Sequence, residues 1–126
     1  MRHDPEEVVL AAVLLDEEKV TRIINLLSPE QFRDERNRLI FVAMYSIYAE
    51  KIEVNLVTIK VALSQMYHNG GVALEFVGES YVNLIAVGVP PFNDAFESAL
   101  LDLAARPKRG VVATTIKEDE WPDTIG

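Results

Sequence analysis

Helix start and stop signals recur along this chain at short intervals, so it can fold only as a set of small helices packed on one another. Pro5 occupies a first helical turn, where its missing amide is harmless, and Glu6 and Glu7 suit the positive end of a helix dipole. A helix is therefore expected from Pro5 to Leu15. Asp16 can cap a second, Glu17 to Leu27, in which Val20, Ile23, Ile24 and Leu27 form one apolar stripe. Ser28-Pro29-Glu30-Gln31 has the form of a capping box with proline at the first helical position, and a short helical turn should start there. Asp34 caps the longest segment, Glu35 to about Lys51, with Leu39, Ile40, Ala43, Met44, Ile47 and Tyr48 along one side and Phe41, Val42 and Tyr45 widening it. This helix is expected at the centre of the core. Asn55 caps a further one, Leu56 to Tyr67, whose inner face is Ile59, Ala62, Leu63 and Met66.

The second half is less regular. Asn69-Gly70-Gly71 reads as a helix stop, because glycine takes the positive-φ conformation with which helices terminate. Phe76, Val77, Tyr81, Leu84 and Ile85 suggest one or two short helices, ended by Gly88 and the Pro90-Pro91 pair. Ala95 to Ala105 is a last helix with Phe96, Ala99, Leu100 and Leu103 on one face, and Pro107 prevents its continuation. After Gly110, β-branched residues and an acidic cluster replace helical periodicity, which suggests a short strand and a loose tail. The expected class is all-α, with a helical domain over residues 1–106 and an acidic, poorly ordered tail over 107–126.

Little in the sequence points to chemistry. No G-x-x-x-x-G-K-[ST] is present to cradle nucleotide phosphates, and no cysteine is available for thiolate catalysis, disulfides or metal ligation. His3 and His68 are the only histidines, their spacing matches no ligand set, and both are expected at the surface. Asp16, Glu17 and Glu18, like Glu118, Asp119 and Glu120, are adjacent and so point apart on a helix rather than forming an acid–base pair. The serines lack a nucleophile-elbow context. A formal charge of −8 repels phosphate backbones, so Tyr45, Tyr48, Tyr67 and Tyr81 are read as core aromatics rather than base-stacking platforms, and direct nucleic-acid binding is not expected. The apolar run Val8 to Leu15 falls well short of the ~20 residues that cross a bilayer. No catalytic residue, cofactor or metal site is assigned, and a cytoplasmic, non-membrane setting is expected.

The segments "EEVVLAAVLLDEEKVTRIINLLSPEQF", "RNRLIFVAMYSIY", "IEVNLVTIKVAL" and the following "GG" resemble, in order and spacing, the N-terminal domain of DnaB-type replicative DNA helicases. The match runs from about Glu6 to Val89. The resemblance implies a small orthogonal helical bundle that does no chemistry. In that family it builds a collar above the ATPase ring, pairs with neighbouring subunits and gives primase a docking surface. Two departures stand out. The family continues into a long helical hairpin and a RecA-like motor, whereas here one short helix, Pro107 and an acidic stretch follow, so the hairpin is truncated and the motor missing. Asn55 and Asn37 stand where the family usually carries aspartate and histidine.

The function expected from this resemblance is a non-catalytic interaction module of DNA replication whose partners are a replicative helicase, primase or helicase loader, with a homodimer as a further option. Phe92, Phe96, Leu100 and Leu101 are the expected partner-binding anchors, since the helix that would cover them in the family is absent here. "KEDEWPDTIG" is expected to be a native terminus, which favours a free-standing, phage- or prophage-encoded mimic over a helicase fragment. The rival from another class is a DNA-binding factor using Pro29 and the helix after Asp34 as a loose helix-turn-helix, although Asp34 and Glu35 would then meet phosphate at the recognition helix.

Overall fold

The computed structural model describes residues 4–88 and 93–107. The α1, α3 and α4 helices begin where a side chain accepts from the backbone amides that a first turn leaves unpaired. Asp4 accepts from Glu6 N at 2.7 Å and opens α1, Pro5–Leu15. Asp16 ends α1 and opens a 3-10 turn, Glu17–Lys19, that runs into α2, Val20–Leu26. Asp34 caps α3, Glu35–Ala49, through Arg36 N at 2.9 Å. Asn55 and Thr58 exchange side-chain-to-backbone bonds, each at 2.9 Å, to start α4, Leu56–Ser64. Two short helices, α5 (Ala73–Val77) and α6 (Glu79–Gly88), follow, and α7 spans Asn93–Ala104.

Several boundaries differ from the sequence reading, two of them for a clear local reason. The α3 helix stops at Ala49 because Lys51 turns left-handed, φ 62°, and Lys51 N and Ile52 N bond back to Tyr48 O and Ile47 O in a Schellman cap. The α4 helix ends at Ser64, and Asn69-Gly70 is a hairpin turn rather than a helix stop. Both turn residues have positive φ, 52° and 83°, as the tight turn between antiparallel strands demands. It joins β1, Tyr67–His68, to β2, Gly71–Val72, with Tyr67 opposite Val72. Gly78, at φ 89°, makes the joint between α5 and α6. The residues after Gly110 lie outside the described range.

The core is built around α1 and α3 together. Val8 to Val13 are all buried, which follows from a run that is apolar on every side instead of on one stripe. The α6 and α7 helices and the start of α3 surround it. From α3 come Ile40, Phe41, Ala43, Met44 and Ile47, with Phe32 stacked on Phe41 at 4.9 Å between ring centres. Ile59 and Leu63 of α4, Val82 and Ile85 of α6, and Phe96, Ala99, Leu100 and Leu103 of α7 close it. Among the described residues no helix is long and apolar enough to cross a membrane.

Candidate protein-interaction surface

Polar groups in the interior are committed to one another. The Glu6 carboxylate, 3% exposed, accepts from Arg33 N at 2.6 Å, Asp34 N at 3.3 Å, Asn37 Nδ2 at 2.8 Å and Arg106 Nη1 at 2.6 Å. It ties the first turn of α1 to the start of α3 and the end of α7. Asn37 passes the connection on, accepting from the Tyr81 hydroxyl at 2.6 Å. Arg36 lies 3.9 Å over the Tyr81 ring and pairs with Asp34. Burial, with the Glu7 and Asp34 carboxylates nearby, pushes the Tyr81 hydroxyl well above the ordinary tyrosine range. The Arg36 guanidinium holds the Asp34 carboxyl below its ordinary value. The Glu6 carboxylate thus has four donors within the chain, and the Tyr81 hydroxyl is spent on Asn37.

Gln31 extends this network. Its Oε1 accepts from Ser28 N at 2.9 Å, as the capping box requires, while Nε2 donates to Ala104 O at 3.2 Å and Arg106 O at 2.8 Å. The first of these bonds was legible in the sequence. The second set joins residues more than seventy positions apart, which local spacing cannot reveal.

The surface is where apolar groups remain unspent. Between α3 and α4 runs an open groove of about 320 Å³ whose apolar lining is Ile47, Ile52, Val61, Ala62 and Met66, with Ser46, Thr58 and Gln65 among them and Glu50 its one ionisable wall residue. Ile52 is 48% exposed and Val61 49%, and Val57 stands out one turn before Val61. The α4 helix thus carries two stripes, Ile59 and Leu63 facing inward and Val57 and Val61 facing outward. The outer pair went unassigned in the sequence reading, though its i, i+4 spacing is a visible signal. Tyr45, Tyr48 and Tyr67 are exposed rather than core, and Tyr81 is half-buried.

The four expected anchors separate. Phe96, 2% exposed, and Leu100, 1%, are packed into the core on the face that α7 turns to α1, so neither is open to a partner. Lys19 and Arg22 also lie over the Phe96 ring at 5.4 and 5.6 Å. Leu101, 71% exposed, points away from α1. Phe92 lies outside the described residues. His68 is not a plain surface group either. It pairs with Glu35 at 2.7 Å and tilts against Phe76, and its side chain is 18% exposed. His3 lies outside the described range. Among the described residues no group of three or more histidine, aspartate or glutamate side chains could hold a metal ion.

Comparison with known proteins agrees with this architecture. Residues 2–99 match the family model described as the DnaB-like helicase N-terminal domain. A replicative DNA helicase DnaB from Synechocystis sp. is 34% identical over 65 residues, which is 52% of this chain and only 8% of that helicase. The fold is similar to the N-terminal domain of DnaB helicase from Mycobacterium tuberculosis, with a TM-score of 0.67 and 21% identity over 87% of this chain and 74% of that one. It is also similar to the N-terminal domain of DnaB helicase from Helicobacter pylori, a structure described together with its interactions with primase, with a TM-score of 0.60 and 18% identity over 93% and 89% of the two chains. With most of its length matched by one family model and its helices arranged as in two members, this chain belongs to the DnaB-like helicase N-terminal domain family.

Proposed function

We propose that this chain is a non-catalytic interaction module of DNA replication and that its α3–α4 groove receives an amphipathic helix of primase. The observation that carries the reading is an apolar groove left open on a bundle whose buried polar groups are already paired. A helix laid in such a groove buries aliphatic anchors at i, i+3 and i+4 spacing. Glu50 on the groove wall, on a chain of net charge −8, favours a partner helix with a basic flank. The solved relative from Helicobacter pylori, described with primase, supports primase as the occupant. The module works in the cytoplasm beside the replication machinery and turns over no nucleotide.

Calorimetric titration with primase, a replicative helicase and a helicase loader tests this. Primase is expected to bind, and Val61→Glu to weaken it at least tenfold without moving the unfolding midpoint. Binding of the helicase in place of primase would recast the chain as a phage or prophage modulator of that enzyme, and binding of the loader alone would reassign the groove to it. Failure of all three, or an unaffected Val61→Glu, would remove the groove from the account. A gel shift with duplex DNA at low salt is expected to stay negative, given the charge balance.

A further inference from the structure

The clasp around Glu6 holds charge where a core has little use for it. Desolvating two ions offsets most of their attraction, so a buried pair adds little net stability, and its best-attested role is to select one arrangement among several. Apolar contacts are non-directional, and α7 meets α1 through an apolar face of Phe96, Ala99, Leu100 and Leu103. Such a face alone leaves a helix able to turn or shift along its neighbour. Among the described residues, the side-chain bonds that tie α7 to other elements lie toward its start and at its end. Toward its start, Glu97 pairs with Arg22, both half in water, where solvent and salt screen the contact. At its end the bonds are shielded: Arg106 Nη1 donates to Glu6 Oε2 at 2.6 Å and to Gln31 O at 3.0 Å, while Gln31 Nε2 donates to the Ala104 and Arg106 carbonyls. The Glu6–Arg106 bond spans 100 residues of sequence and joins the first helix to the last.

We infer that Glu6, Gln31 and Arg106 form a register pin that fixes the last turn of α7, and with it the direction in which the backbone leaves the bundle at Pro107. Apolar packing keeps α7 attached; the pin decides where it ends. Releasing the pin therefore loosens the final turn while the rest of the bundle stays closed. This holds whether or not the α3–α4 groove binds primase.

Residue-resolved amide hydrogen exchange on the full chain tests the pin, with Val13→Ala as the reference for a loss spread through the core. Arg106→Met, made together with Glu6→Gln so that no buried carboxylate is stranded, is expected to speed exchange from Leu103 to Arg106 at least tenfold more than at Ile40–Met44 or Ile59–Leu63. Arg106→Lys, which keeps the charge but replaces the planar guanidinium with an ammonium on a different stem, is expected to give a smaller increase at the same amides. It also carries the test if the double variant fails to fold. A uniform increase like that of Val13→Ala, or an unchanged last turn in both Arg106 variants, would overturn the inference.

Discussion

Glu6 and Glu97 both accept from arginine, in opposite surroundings. Glu6 is nearly sealed from water and serves four donors, whereas Glu97 and Arg22 are each half exposed. Removing one member of a buried pair strands the other, at a cost of about 3–5 kcal/mol, so Glu6→Ala should lower the stability measured by urea unfolding by that order. Glu97→Ala should leave the urea midpoint where it is. Asp34 adds a pH signature. The Arg36 guanidinium lowers its folded-state pKa below the ordinary 3.8, so its contribution is complete above that value and is lost as pH falls through the depressed one. Asp34→Asn keeps the cap acceptor and removes the charge. In acid unfolding curves the variant is expected to lose less stability than the parent below about pH 4. Because Asp34 is only part-buried, its side chain 34% exposed, added salt should shrink the difference.

At the scale of elements, the caps at Asp16, Ser28, Asp34 and Asn55 were legible because capping is local: the side chain and the amide it serves lie within a few residues. The hairpin at Asn69-Gly70 was misread for the same reason, since positive φ at two successive residues serves a turn as well as a helix end, and only the pairing of Tyr67 with Val72 decides between them. Length pointed to α3, and its Ile40, Phe41, Ala43 and Met44 are indeed buried; the all-round apolar run of α1 puts a second helix beside it in the core. The α7 helix shows the limit for the surface. Its stripe of Phe96, Ala99, Leu100 and Leu103 was correctly read, yet whether α1 or a partner covers a stripe is a long-range fact. Because α1 does, Phe96→Ala should cost about 3–5 kcal/mol in chemical denaturation, as cavity formation in a core does. Leu101→Ser, on the opposite face, should fall within about 0.5 kcal/mol of the parent.

For the molecule as a whole, the few polar groups inside the apolar core are satisfied, while part of the apolar surface is left open. Glu6, Gln31, Asn37, Tyr81 and Arg106 bind one another across four helices, so the interior is a scaffold. The family was visible in the order of its segments. The groove was not, because a groove exists only once Ile52, after the end of α3, is brought beside Val61 on α4. The most direct measurement is the amide chemical-shift footprint of primase on isotope-labelled protein. Shifts are expected to cluster at Ile47, Glu50, Ile52, Val61 and Met66, with Glu6, Asn37 and Tyr81 still. Perturbations centred on the Glu6 network, or none at all at saturating primase, would contradict the view of this bundle as a silent scaffold presenting one docking groove.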